Sequence, residues 1–185
     1  MSGSATDAIG QRSRNSVCNN NGLSLMTDTA TLVPTMHSKP VPTPNDDALP
    51  RRFADFATFG EAIDYAAKGT RGLNFHNPRG ELMRAYTFAE MRLDALAVAR
   101  RLIARGLVPG DRVAIIAETG PDFAALFCGA VYAGVWPVPL PLPTSFGGKD
   151  NYIDQIAVQM ASAEPKLLFF PEELAGMAMA AAERQ

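Results

Sequence analysis

The stretch TSFGGKD, residues 144–150, has residue types that resemble a phosphate-binding loop. A loop of the Walker type needs Gly-x-x-x-x-Gly-Lys followed by Ser or Thr, so that backbone N–H groups and the lysine surround the phosphates. Here Asp150 follows Lys149, and Pro143 stands where the first glycine is required. The carboxylate beside the lysine also weakens the field that a phosphate would feel. We therefore interpret this stretch as a structural loop rather than a phosphate site.

Two further carboxylates, Glu118 and Asp122, flank a predicted strand-to-helix corner. Ligands often bind at such corners in open α/β sheets. Asp122 is also near the first turn of a predicted helix, where a negative charge interacts favourably with the helix dipole. We prefer this structural explanation for Asp122.

The remaining chemically capable side chains have simple structural explanations. His37 and His76 have no acidic or cysteine partner nearby in the sequence, so we interpret both as solvated or structural. Cys18 and Cys128 lie too far apart for a metal-ligand spacing or a disulfide framework. Cys128 lies in an apolar helical stretch and is predicted to be a small buried hydrophobic residue. Asp111 is predicted to form a turn.

Strands and helices are predicted to alternate in the second half of the chain. RVAIIA (112–117), VWPVPL (135–140) and KLLFF (166–170) are β-rich runs. Between them, DFAALFCGAVYAG (122–134) and NYIDQIAVQMASA (151–163) are typical of helices. This alternation predicts an α/β fold with a parallel sheet, flanked by helices and joined by right-handed crossovers.

The preceding part of the chain predicts two helices and a small hairpin. Thr58 to Glu61 and Thr87 to Glu90 each have the form of a capping box, which begins a helix. Between the two helices, residues 72–86 predict two short strands around a turn at 77–80. Gly106 is placed to end the second helix.

The second of these helices has one apolar and one charged face. Arg100, Arg101 and Arg105 are predicted to form a solvated face with favourable dipole contacts rather than an anion site. The apolar stripe follows helical spacing and comprises Phe88, Met91, Ala95, Ala99, Leu102 and Ile103.

Four prolines alternate with other residues in the stretch that follows Val135, at positions 137, 139, 141 and 143. Residues two apart in a strand direct their N–H groups to the same side, so these prolines remove donors from one side only. We therefore predict that residues 135–140 form an outer strand or leave the sheet early as extended chain. A PxxP peptide ligand is excluded because no proline has a partner three residues away.

The overall composition excludes several classes of protein. The chain has 185 residues with a formal net charge of −2, and 19% of its residues are charged. This balance argues against a nucleic-acid-binding surface, which needs clustered Lys and Arg. No apolar run approaches the ~20 residues of a membrane-spanning helix, and the start has no apolar stretch typical of a secretory signal. We expect a cytoplasmic location and no membrane span.

Composition also divides the chain near residue 50. Residues 1–50 are rich in Ser, Thr, Asn, Pro and Gly without apolar periodicity, and we predict a disordered tail there. Met26 begins a plausible alternative start, so residues 1–25 are a candidate over-extension of the native reading frame. Residues 51–185 are predicted to be the ordered part.

The ordered part resembles the amino-terminal subdomain of the adenylate-forming ligases, and within them the fatty acyl-AMP ligases. Four consecutive blocks carry the resemblance: residues 53–67, 72–86, 86–143 and 145–174. Motifs such as PGDRVAI and YAGVWPVPLPLP are only suggestive singly, but their order and spacing together are specific. The resemblance implies an incomplete amino-terminal part of a ligase domain.

Members of this family form an acyl-adenylate from a carboxylate and ATP. For a full-length enzyme the resemblance implies ATP and magnesium as cofactors, and a fatty acid and an acyl carrier protein as partners. The family's Ser/Thr/Gly-rich phosphate loop, its Asp-containing nucleotide segment and its catalytic lysine do not occur in these 185 residues. We therefore assign no catalytic, cofactor-binding or metal-binding residue and expect no cofactor in this chain. Tyr132 and Trp136 are candidates for the border of an acyl channel, but we prefer core packing for both.

Three predicted strands are few for a parallel sheet that must be covered on both faces. We therefore expect a truncated subdomain that leaves apolar sheet surface exposed and has no activity alone. One alternative is a free-standing module that docks on a separately encoded remainder. Another is part of a coenzyme A ligase or of a polyketide loading enzyme.

Overall fold

A computed structural model describes residues 17–18, 24–26, 49–50, 52–53, 55–144 and 147–184. The strands are β1 Val17–Cys18, β2 Ser24–Met26, β3 Gly72–His76, β4 Leu82–Thr87, β5 Arg112–Ile116, β6 Trp136–Leu140 and β7 Leu167–Phe169. The helices are α1 Phe59–Ala66, α2 Phe88–Ala104, α3 Pro121–Tyr132, α4 Lys149–Ala163 and α5 Ala175–Glu183, with a 3-10 turn at Glu172–Leu174.

The predicted parallel sheet is present, with β5 between β7 and β6. The chain passes from β5 through α3 to β6, and then through α4 back across β5 to β7. Residues that alternate along a strand face opposite sides of the sheet. Val113 and Ile115 therefore pack with α2 and α3, whereas Ala114 and Ile116 pack with α4 and α5.

Both faces of the central strands are covered, contrary to the exposed sheet surface that the sequence led us to expect. Residues 113–116 of β5 and all of β7 are buried. Helix α5 follows the 3-10 turn after Pro171, and its Ala178, Ala181 and Ala182 complete the core on the α4 side. A residue such as Ile116 contributes about 1.5–3 kcal/mol when fully buried. Helices of this chain therefore cover the apolar surface of β5 and β7.

The sheet has five strands where three were predicted. β2 pairs in parallel with β7, and β1 pairs antiparallel with β2. Both additional strands come from the segment predicted to be a disordered tail. The rest of that prediction, including the question of an over-extended start at residues 1–25, lies almost wholly outside the described residues.

The proline-rich strand β6 lies at the edge of this sheet, as its sequence predicted. The backbone N–H of Trp136 donates to the carbonyl of Asp111 at 2.7 Å, which fixes the direction of the donors along β6. The N–H groups of Val138 and Leu140 therefore also point towards β5. Pro137 and Pro139 fall on the open side, where their missing donors cost no bond in the sheet.

The predicted hairpin is formed by β3 and β4. In its turn, the N–H of Gly80 donates to the carbonyl of Asn77, and the side-chain oxygen of Asn77 accepts from the N–H groups of Arg79 and Glu81. Gly80 has a φ of 81°, a conformation that favours glycine. The turn at residues 77–80 is thus specified locally by its sequence.

Both predicted helix starts are confirmed, and one of them is a complete capping box. The Thr87 hydroxyl accepts from the Glu90 N–H, and the Glu90 carboxylate accepts from the Thr87 N–H. At α1, Thr58 likewise accepts from the Glu61 N–H, but the Glu61 carboxylate accepts from the N–H of Ala57 instead. Each arrangement satisfies donors that a helix start leaves free.

The buried stripe of α2 differs from the predicted one at four positions. Phe88 is only partly buried, and Val98 is buried although it was not predicted. Ile103 was placed in the stripe but is 56% exposed. Asp94, which was not predicted to be buried, is only 2% exposed. The buried residues of α2 are Met91, Asp94, Ala95, Val98, Ala99 and Leu102.

Helices α2 and α3 pack closely because α3 has a glycine at the crossing. A Cβ on Gly129 would lie 2.6 Å from the Cβ of Val98 and 2.8 Å from the carbonyl oxygen of Ala95. No larger residue fits there without moving the helices apart. In the same last turn of α3, the Tyr132 hydroxyl donates to Asp64 of α1 at 2.8 Å.

Candidate functional site

Strands β5, β6 and β7 end on one side of a cleft of about 640 Å³. Such a cleft is expected where neighbouring strands continue into helices on opposite faces of the sheet. β5 leads into α3 on one face, and β7 leads towards α5 on the other. The cleft is lined by Ala117, Glu118, Thr119, Gly120, Pro121, Asp122, Leu142, Pro143, Pro171, Glu173 and Leu174.

The amino-terminal end of α3 forms one wall of the cleft. Gly120 is the N-cap residue and makes no side-chain capping bond. Pro121 occupies the first helical position, where its missing N–H is not needed. Asp122 lies in the first turn, at the position predicted from the sequence, and the favourable interaction with the helix dipole stays a prediction.

The charged side chains of the cleft are all acidic among the described residues that line it. Glu118 and Asp122 come from the corner after β5, and Glu173 comes from the 3-10 turn after β7. The sequence prediction included the first two residues but not Glu173. Only the tertiary structure brings Glu173 to the same cleft, since it lies about 50 residues further along the chain.

The surroundings of Asp122 shift the pKa of its carboxyl group in opposite directions. Partial burial raises the pKa of Asp122, and the positive charge of Arg84 opposes this rise. Polyphosphates carry several negative charges, so this cleft, with its three carboxylates, is not by itself a phosphate site. The apolar lining from Leu142, Pro143 and Leu174 is suited instead to an uncharged group.

A buried polar pair lies behind the cleft. The Tyr86 hydroxyl donates to the carboxylate of Asp94 at 2.7 Å. Burial raises the pKa of Asp94, although the bond from Tyr86 and the charge of Arg84 favour the ionised form. Burial also raises the pKa of Tyr86. The guanidinium of Arg84 lies 5.1 Å from the centre of the Tyr86 ring. Arg84 and Tyr86 belong to β4, and the bond from Tyr86 to Asp94 connects this strand with α2.

The described residues of the glycine-lysine stretch, 144 and 147–150, do not line this cleft. Gly148, with a φ of 69°, is the N-cap residue of α4, and Lys149 is the first residue of that helix. The carboxylate of Asp150 lies 3.6 Å from the guanidinium of Arg184, the C-cap residue of α5. Residues 145–146 of the stretch lie outside the described residues. The interpretation as a structural loop remains a prediction.

His76, Asp111 and Cys128 do not line the cleft, and His37 lies outside the described residues. His76 is exposed at the end of β3, and Asp111 accepts a bond from the N–H of Val108 in a turn, as predicted. Lys166 lies 2.7 Å from Asp111 and lowers the pKa of that carboxyl. Cys128 is buried as predicted, and burial raises the pKa of its thiol to about 11.

The two aromatic residues near the proline-rich strand have different environments. Tyr132 is partly buried and donates to Asp64, in agreement with a packing role. Trp136 is 64% exposed, so the preference for core packing was wrong for this residue. Trp136 is the first residue of β6, at the edge of the sheet.

Comparison with known proteins identifies the family to which this chain belongs. Residues 73–185 match the model of the AMP-binding enzyme family. A Caulobacter vibrioides protein named as an acyl-CoA synthetase is 45% identical over 130 residues, which are 70% of this chain and 22% of that protein. The long-chain-fatty-acid–AMP ligase FadD32 of Mycolicibacterium smegmatis is 40% identical over 77 residues, 42% of this chain and 12% of that ligase.

A solved structure from a study of fatty acyl-adenylate ligases of E. coli and L. pneumophila has the same fold. The match has a TM-score of 0.67 and 36% identity, and covers 72% of this chain and 24% of that one. The chain therefore belongs to the AMP-binding enzyme family. It spans about a fifth of the length of the Caulobacter vibrioides relative. In the part of the chain that the structure describes, no helix is both long and apolar enough to cross a membrane.

Proposed function

We propose that this chain supplies the amino-terminal part of a fatty acid-activating ligase that forms fatty acyl-AMP and passes the acyl group to a carrier protein. The observation that carries the proposal is the 36% identity and TM-score of 0.67 with a fatty acyl-adenylate ligase, over 72% of the chain. The 40% identity with a long-chain-fatty-acid–AMP ligase supports the same acyl donor.

The reaction sets requirements that this chain meets only in part. A carboxylate oxygen of the fatty acid attacks the α-phosphorus of ATP, a new P–O bond forms, and pyrophosphate leaves with its electron pair. Catalysis depends on positioning the two reactants and on stabilising negative charge on the phosphates. The cleft has an apolar lining, but its described charged residues Glu118, Asp122 and Glu173 are acidic and do not stabilise negative phosphates. The groups that stabilise the phosphates must then come from elsewhere in the ligase, and we propose that this chain alone does not adenylate.

A pyrophosphate-release assay tests this proposal. The purified 185-residue chain is incubated with ATP, magnesium and either medium-chain or long-chain fatty acids. We expect no release above the level without enzyme, and no heat of MgATP binding in calorimetry. Turnover by the chain alone would contradict the proposed division of the activity.

A chimeric enzyme tests the contribution of this chain to a ligase. The corresponding segment of a fatty acyl-adenylate ligase is replaced by residues 53–184 of this chain. We expect the chimera to form fatty acyl-AMP, detected as pyrophosphate release and by mass spectrometry. A chimera that unfolds cooperatively but forms no acyl-AMP with any fatty acid would argue against the proposal.

A second candidate function differs in the acyl acceptor. The 45% identity with a protein named as an acyl-CoA synthetase favours transfer to coenzyme A. The same chimera is unsuitable for this question, because its acceptor chemistry derives from the donor ligase. The longer natural protein, where its reading frame contains this sequence, is therefore assayed with coenzyme A and with phosphopantetheinylated carrier protein. Formation of the carrier thioester supports the first candidate, and formation of acyl-CoA supports the second.

A further inference from the structure

The open edge of β6 has an unusual set of backbone groups. In a parallel strand the N–H and the carbonyl of one residue point to the same side. The Trp136 N–H donates to Asp111, so the backbone groups of Trp136, Val138 and Leu140 face β5. The positions that face the open side are 137 and 139, and both are proline. This side of β6 therefore presents carbonyl acceptors and no N–H donor.

An added strand forms a stable ladder only when each strand both donates and accepts. Against β6, the N–H groups of an added strand could bond to the carbonyls of Pro137 and Pro139. The carbonyls of the added strand would find no donor in return, and a buried carbonyl without a partner costs about 1–3 kcal/mol. The open edge is thus poorly suited to main-chain pairing.

Just beyond the end of β6, a backbone carbonyl is hydrogen-bonded to a side chain of α4. The hydroxyl of Tyr152, on α4, donates to the carbonyl of Pro141 at 2.9 Å. That acceptor is therefore already used within the chain. Within the part of the chain that the structure describes, an approaching strand meets carbonyls without a partner at positions 137 and 139, and a hydrogen-bonded one at position 141.

We propose that Pro137 and Pro139 block strand addition at β6, so that a second copy of this chain cannot extend the sheet from this edge. Exposed edges are common sites of unwanted pairing, and proline is one of the residues that prevent it. The exposed surface of Trp136 makes this protection relevant, because apolar surface beside an open edge favours association.

The test restores backbone N–H donors at positions 137 and 139. Pro137→Val and Pro139→Val are combined in the full chain, and valine is chosen because it favours strands. The matched control is Pro141→Val with Pro143→Val, which removes two prolines from the same run beyond the end of β6. Light scattering after size exclusion gives the mass of each chain against the 19.8 kDa monomer, and hydrogen exchange reports the amides at the substituted positions.

We expect the 137/139 variant to self-associate more than the native chain, with slow exchange at amides 137 and 139. The control is expected to match the native chain in mass, with fast exchange at amides 141 and 143. The single variants at 137 and 139 are measured as well, in case the double variant does not fold. Each should show slowed exchange at its own restored amide. Native-like mass and fast exchange in all of these variants would overturn the proposal.

Discussion

The hydroxyl of Tyr86 and the carboxylate of Asp94 form a hydrogen bond of 2.7 Å between two side chains that are 1% and 2% exposed. The bond joins strand β4 of the hairpin to the middle of α2. A two-stranded hairpin has little stability of its own. The position of this hairpin therefore depends on the packing and polar contacts that it makes with α2.

Removal of the Tyr86 hydroxyl is expected to destabilise the chain. Tyr86→Phe leaves the buried Asp94 carboxylate without this donor, which costs about 1–3 kcal/mol in the free energy of unfolding. The matched control is Tyr65→Phe, because the Tyr65 hydroxyl bonds to the carbonyl of Pro50 at an exposed site. That control is expected to stay within about 0.5 kcal/mol of the native chain. Urea denaturation measures both, and equal effects would argue against a special role for the buried pair.

The raised pKa of Asp94 predicts a specific pH dependence of stability. Burial favours the protonated carboxyl, so the folded state binds this proton more tightly than the unfolded state does. The stability contribution is therefore complete below the ordinary pKa of 3.8 and is lost as the pH rises through the higher pKa of the folded state. The charge of Arg84 opposes the rise in pKa, whereas those of Glu90 and Asp122 add to it.

The variant Asp94→Asn isolates this effect, because the amide cannot ionise and its oxygen can still accept from Tyr86. Denaturation is measured at a series of pH values for both chains. The stability of the native chain relative to the variant should fall as the pH rises above about 4. Other carboxylates, such as Asp64, shift in the opposite direction but cancel in the difference. A difference that is constant or grows with pH would exclude a raised pKa for Asp94.

The crossing of α2 and α3 predicts that Gly129→Ala is destabilising. The new methyl group would overlap Val98 and the backbone of α2, and overpacking of this kind typically costs about 1–3 kcal/mol. Gly176→Ala is the control, since Gly176 lies within α5 with no neighbouring atom within 4 Å of its Cβ position. There, alanine is expected to stabilise the chain by about 0.4–1 kcal/mol. Opposite signs in thermal or urea denaturation support the close packing, and a neutral Gly129→Ala contradicts it.

The burial of Cys128 predicts a slow reaction with thiol reagents. Its thiol has a pKa of about 11, and the thiolate is the reactive form. The experiment uses a Cys18→Ser chain, so that Cys128 is the one remaining cysteine. Alkylation by iodoacetamide at pH 8 should be slow in the folded chain and fast after denaturation. A folded chain that reacts as quickly as free cysteine would show that the α2–α3 interface opens readily.

Many elements could be predicted from the sequence because their determinants lie close together along the chain. The capping residue Thr87 and its partner Glu90 are three positions apart, and the hairpin turn is specified by Asn77 and Gly80. The alternating prolines of β6 are also a local determinant. Residues two apart in a strand direct their N–H groups to the same side, so these prolines remove donors from one side only. That pattern predicted either an outer strand or an early exit from the sheet, and the structure has β6 as an outer strand.

The burial of Asp94 was missed although a weak signal was present. Asp94 falls between Met91 and Ala95 at helical spacing, so it lies on the apolar face of α2. A polar residue on such a face has either a buried partner or an exposed position, and the sequence does not distinguish the two. The partner, Tyr86, comes from the preceding strand, and only packing of the hairpin against α2 brings them together.

The chain by itself determined the periodicities, caps and turns of the fold, because these depend on interactions within a few residues. The tertiary structure decided which surfaces meet. It paired β2 with β7, left Ile103 in solvent, and brought Glu173 to the cleft beside Glu118 and Asp122. These outcomes depend on contacts between segments that are distant in sequence, and such contacts form only when whole helices and strands pack together.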